Sequence, residues 1–157
     1  MGEDEIDEIE IDEIDEIDEI DEIDEISEID EIDVGVSEFG ELMAVFVRSI
    51  GAVRGVVLSD GVDDTIDTAH RPSKISALDV CIAGAQVGQA MTRMTVDTII
   101  FGLGRSVIVL EGEDMILISK QLWEQYLLTA VLDPQADIAR AMRDFEEAGE
   151  QVLALLR

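Results

Sequence analysis

The stretch RSVIVLEGEDMILISKQLWEQYLLTAVLDPQADIARAMRDF, residues 105–145, decides the fold. Its run from Arg105 to Glu111 is rich in β-branched residues and predicts a strand. Gly112-Glu113 predicts a turn and Met115 to Lys120 the next strand. Tyr126 to Leu132 predicts another strand. Asp133-Pro134 then reads as a helix opening, with Asp133 as N-cap and Pro134 at the first helical position. Strands joined by such short turns pair antiparallel. The helix that follows carries Ile138, Met142, Phe145, Gly149, Val152 and Leu156 at helical spacing, a stripe able to cover one face of that sheet.

Toward the N-terminus the same rules continue. Ser37 is placed to cap a helix whose apolar positions are Phe39, Leu42, Met43, Phe46, Val47 and Ile50, ending near Gly51. Val53 to Ser59 (VRGVVLS) predicts a strand, Asp60-Gly61 a turn, and Thr65 to Ala69 a short strand returning beside it. Pro72 and Ser73 then open a long helix running to about Met94. Residues 96–104 either extend this helix or form a loop. The order is αββαβββα, an α+β domain with a five-stranded antiparallel sheet and helices packed on it.

This order resembles the Roadblock family of dynein light-chain and bacterial polarity proteins. The resemblance is carried by GAVRGVVLSDG after the first helix, by SVIVLEGEDMILISK as strand, turn and strand, and by YLLTAVLDPQADIARAMRDF as last strand into last helix. It covers about residues 36–156. The polar, acidic VDDTIDTAH departs from it, standing where the family has a more apolar second strand. The resemblance implies a profilin-like sandwich with helices on both faces of the sheet. It also implies a homodimer joined through the third strand with the second helices side by side, and a role as regulator or adaptor for small Ras-like GTPases.

Charge divides the chain sharply. Of 38 acidic and 10 basic residues (net −28), residues 1–33 hold 20 acids and no base. Two units follow: an acidic low-complexity tail, 1–33, and one domain, 34–157. The tail repeats Ile-Asp-Glu from Ile6 to Ile32, with a slip between Ile9 and Ile11 and Ser27 in place of one Asp. A three-residue step turns about 300° around a helix. No fixed apolar stripe forms, and neither a coiled coil nor a half-buried strand fits. The tail is therefore expected to be disordered, serving as a solvated spacer or as a multivalent docking peptide for a basic protein partner.

Several function classes fall away. The acidity disfavours nucleic acid and anionic lipid. No apolar run reaches the roughly 20 residues that span a bilayer. The acidic N-terminus does not read as a signal peptide, so a cytoplasmic protein is expected. No P-loop occurs, and Gly102-Leu103-Gly104 is only a fragment of a dinucleotide motif, better read as a turn. The lone His70 reads as an exposed loop residue and the lone Cys81 as a small core residue. Asp60, Asp63, Asp64 and Asp67 read as a solvated acidic turn. No catalytic, cofactor or metal site is expected, and no enzyme activity.

The long helix offers a candidate contact surface. Val80, Val87, Met91 and Met94, beside the small Ala77, Cys81, Gly84 and Gly88, should face the sheet. The opposite sector holds Asp79, Gln86, Gln89 and Arg93, yet also Ile75 and Ile82. The expected partner or dimer contacts are Ile75, Leu78, Ile82, Gln86, Gln89 and Arg93. The edge pairing implied by the resemblance adds Val107 and Val109. The expected function is a non-catalytic homodimeric regulator or adaptor of a small Ras-like GTPase. The alternative is a scaffold presenting acidic tails to a basic protein, without a GTPase.

Overall fold

Nearly continuous buried runs along two neighbouring strands, VRGVVLS and YLLTAVL, give the sheet two buried faces, and helices cover both. The computed structural model describes residues 31–60 and 64–157, without the side chains of residues 95–99. The elements are β1 (Asp33–Val34), α1 (Glu38–Ser49), β2 (Val53–Ser59), β3 (Thr65–His70), α2 (Ala77–Ile100), β4 (Val107–Glu111), β5 (Ile116–Trp123), β6 (Tyr126–Leu132) and α3 (Ile138–Leu156). The α+β class and the order of the three helices and five long strands are as the sequence predicts. Among the described residues the sheet has six strands where five are expected, in the order β1-β3-β2-β6-β5-β4, with every pairing antiparallel. The additional strand is β1, in which Asp33 and Val34 pair with His70 and Ala69. Asp33 thus belongs to the sheet, although charge assigns it to the tail. Of the expected tail, residues 1–30 lie outside the described residues, while Ile32 packs against the core.

β2 sits in the middle of the sheet between β3 and β6, and its period-two pattern feeds both faces. Val56 and Leu58 point to the side of α1 and α3. There they join Met43, Phe46 and Val47 of α1, Phe145 and Val152 of α3, and Ile118, Leu128 and Ala130 of the neighbouring strands. Gly55 and Val57 point to the other side, beneath α2. A Cβ on Gly55 would lie 2.7 Å from Val80 Cγ2, and one on Gly84 would lie 2.6 Å from Val57 Cγ1. Glycine on both partners is what lets α2 lie this close to β2.

Asp67 anchors the start of α1. It is 6% exposed, within β3. Its Oδ2 accepts hydrogen bonds from the Ser37 hydroxyl, from Ser37 N at 2.9 Å and from Gly40 N at 3.1 Å, while Oδ1 accepts from Thr68 N at 2.9 Å. Ser37 Oγ in turn accepts from Phe39 N, the expected cap. Burial alone would raise the carboxyl, but the bonds from Ser37, Thr68 and Gly40 outweigh it and hold it below the usual carboxylate range. The sequence predicts Asp67 as part of a solvated acidic turn. It is buried because strand pairing with Leu58 turns it toward α1, whose free N–H groups it satisfies.

Candidate protein-interaction site

The position of α2 is fixed by the residues just before it. Arg71 is buried, and its guanidinium donates from Nε to Val53 O (3.1 Å) and from Nη2 to Val47 O (2.7 Å). The chain then turns, with Lys74 N and Ile75 N both donating to Arg71 O. Lys74 Nζ reaches Asp133 Oδ2 at 2.6 Å and Gly51 O at 2.8 Å, while Arg54 Nε holds Asp133 Oδ1 at 2.7 Å. Burial acts to raise the Asp133 carboxyl, but the two cations overcome it and leave it lowered.

This cluster corrects two expectations. Pro72-Ser73 does not open the helix: residues 71–75 form the turn, and Ser76 accepts from Asp79 N at 3.1 Å just before α2 begins at Ala77. Nor is Asp133 an N-cap. Its carboxylate is engaged by Arg54 and Lys74, and Asp137 caps α3 by accepting from Arg140 N at 3.1 Å. At its other end α2 runs through residues 96–100, settling the open alternative in favour of helix. Gly102 and Gly104, with φ of 68° and 71°, make the turn that follows.

Val80, Ala83, Gly84, Val87, Gly88 and Met91 of α2 are buried. Met94 is half-exposed, Cys81 lies at the margin and Ala77 is in solvent, so the buried stripe is narrower than expected and Cys81 is not core. Opposite that stripe stand Leu78 (67% exposed), Ile82 (44%), Gln86, Gln89 and Arg93, brought together in one sector of about 80° at 100° per residue. Ile75 is half-buried in the turn before the helix, outside this row.

The expected strand residues divide differently. Val107 and Val109 pair with Lys120 and Ile118, which turns them to the α1–α3 side, and Val107 packs on the main core. On the α2 side β4 presents Ile108 and Leu110 instead, with Leu110 48% exposed. Ile108 and Leu117 pack with Val87, Met91 and Leu127 under α2. Among the described residues β4 is an edge strand, bonded only to β5, so its outer backbone groups face outward. One side of the domain thus combines a helix row of mixed apolar and polar residues, a strand edge and the exposed Leu110. Period-two counting separates Val107 and Val109 from Ile108 and Leu110, but which of the two pairs faces α2 is set by the pairing with β5.

His70 is buried, not exposed. It lies in β3 on the α2 side, with Nε2 3.9 Å from Asp33 Oδ2 and Nδ1 without a hydrogen-bond partner among the described residues. Asp67 points to the opposite face, so the two do not form an acid–base pair. Among the described residues no group of three or more His, Cys, Asp or Glu is placed to hold a metal ion. No helix there is long and apolar enough to cross a membrane.

No protein-family model matches the sequence, and no curated protein sequence does. Solved structures do match. One is an MglB with a tetrameric arrangement, with TM-score 0.67 and 18% identity over 79% of this chain and 95% of that one. Another is the gliding protein MglB of Thermus thermophilus, with TM-score 0.66 and 18% identity over 79% and 96%. A Roadblock/LC7 domain from Streptomyces avermitilis matches with TM-score 0.63 and 17% identity over 74% and 95%. The chain has the Roadblock fold.

Proposed function

We propose that this chain is a non-catalytic regulator or adaptor that self-associates and binds a small Ras-like GTPase. The observation that carries the reading is the row Leu78, Ile82, Gln86, Gln89 and Arg93, exposed on the same side of the sheet as Leu110 of the open β4 edge. Mixed apolar and polar residues with an arginine are what a protein contact uses. The tetrameric arrangement of one MglB supports self-association on this fold. β4 pairing with its copy would continue the sheet, and two α2 helices would then lie side by side.

Substituting Ile82→Asp is expected to convert the self-associated chain to monomer in sedimentation at micromolar concentration. It should also lower recovery of a small GTPase in pull-downs by roughly ten-fold or more, since a buried unpaired carboxylate costs several kcal/mol. Because Ile82 is 44% exposed in the single chain, the variant should stay folded by circular dichroism, and its thermal midpoint should fall only by what self-association contributes. An unchanged oligomer and unchanged GTPase recovery would remove the reading.

A second reading, a scaffold that presents the acidic tail to a basic protein, is favoured by where the tail joins. β1 occupies the sheet edge opposite β4, away from the proposed contact side. That reading predicts partner capture that disappears on deleting residues 1–30 and weakens steeply with salt.

A further inference from the structure

The far side of the domain carries a second surface that the α2 reading does not use. α1 and α3 pack antiparallel on the sheet. Their outer seam holds two depressions, of about 380 and 170 Å³, that share Leu42 and Val45. Together they make one groove. Its floor is apolar: Leu42, Val45, Phe46, Ala148 and, at the α1 N-terminal end, Leu155. Val45 is 56% exposed and Leu155 43%. Its rims are acidic on both sides, with Glu38 and Glu41 from α1 and Asp144 and Glu147 from α3. Glu38, Glu41 and Glu147 are exposed, and Asp144 is met by Arg143 at 3.8 Å. Arg48 lies in the last turn of α1 and Arg140 bonds Ser49 O, so the acidic character is strongest toward Glu38.

We infer that this groove docks a basic amphipathic helix of a partner protein. Charge selects the occupant. The chain's own Ile-Asp-Glu segment offers isoleucines of suitable size, but residues 1–33 bring 20 further acids and no base to an acidic rim. A second copy would set the same four carboxylates against their own images. A helix with lysines or arginines flanking an apolar stripe satisfies both the floor and the rims. α1 has twelve residues, so the groove is about 18 Å long and matches roughly three turns of a bound helix. The acidic segment enters the domain at β1, only a few residues before Glu38, and adds to the potential drawing such a partner in.

The test uses the full chain and a fluorescent synthetic helix of about 14 residues, with leucines at i, i+3, i+4 and i+7 and lysines elsewhere. A scrambled peptide of identical composition controls for simple attraction to the acidic segment. At physiological salt the amphipathic peptide should bind roughly ten-fold or more tightly than the scrambled one. Its binding should shift the Leu42, Val45 and Ala148 NMR signals. The double variant Val45→Ser/Leu155→Ser leaves charge intact and alters exposed positions, and should abolish the preference. Equal binding of both peptides, an unaltered preference in the variant, or shifts confined to α2 would overturn the inference. Loss of self-association in the same variant would assign the groove to a second copy. Groove shifts on adding a peptide of residues 1–30 would assign it to the chain's own segment. Either result also overturns it.

Discussion

Truncating Phe145 to alanine is expected to lower the domain's stability by about 3–5 kcal/mol, the usual cost of emptying a core phenylalanine site. Phe145 has no exposed surface and lies in the middle of α3. Its ring meets Phe46 of α1 edge-to-face, with centroids 5.8 Å apart and planes at 62°, a favourable aromatic arrangement. The site is boxed by two helices and the sheet, so little can collapse into the space. A domain of this size has about 5–15 kcal/mol in total, so the variant sits close to its limit. Urea unfolding followed by the single Trp123, half-buried against the same core, reads the loss directly. A loss below about 1 kcal/mol would mean that the two helices do not share a packed core with the sheet.

The second large effect concerns Asp67 and depends on pH. At neutral pH Asp67→Asn is expected to cost roughly 2–3 kcal/mol, because one carboxylate oxygen gathering three donors gives way to an amide that must turn an NH₂ toward a donor. The native carboxyl is held below its usual value, whereas in the unfolded chain it titrates near 3.9. Its stabilisation is therefore complete above about pH 4 and drains away as pH falls toward the lower native value. The gap between wild type and variant should be widest at pH 7 and narrow toward pH 3. A gap independent of pH would show that the ionised form contributes nothing. Gly35 belongs to the same arrangement, since a Cβ there would sit 1.4 Å from Asp67 Oδ1.

Much of this fold is legible in sequence because it rests on local periodicity. Phe39, Leu42, Met43, Phe46 and Val47 mark α1 whatever they pack against, and Val53 to Ser59 reads as a strand without its neighbours. The misreadings share a different cause. His70 looks like a loop residue and Asp67 like a turn residue until β3 is paired on both sides, with β1 and with β2. β1 itself is only two residues long, and its strand character exists solely through that pairing. Asp133-Pro134 imitates a helix start, but whether Asp133 caps or pairs depends on Arg54 and Lys74, far away in the chain. The candidate contact row on α2 was open to reading from one helix alone, apart from Ile75, which falls in the preceding turn. The α1–α3 groove was not, since its two walls are about a hundred residues apart.

The strand order also governs the time course of folding. β2 and β3 form one local hairpin, and β4, β5 and β6 form a local meander that can fold from adjacent residues. Within the sheet the two halves meet along the pairing of β2 with β6, from Val53 opposite Leu132 to Ser59 opposite Leu127. Closing that join brings together segments from opposite ends of the domain, a loop-entropy cost that slows the rate-limiting step. On the ribosome, β2 must wait for residue 132 to emerge before its second neighbour exists. Until then a strand rich in buried apolar residues has one open edge, and the nascent chain is at its most vulnerable to pairing with the wrong strand.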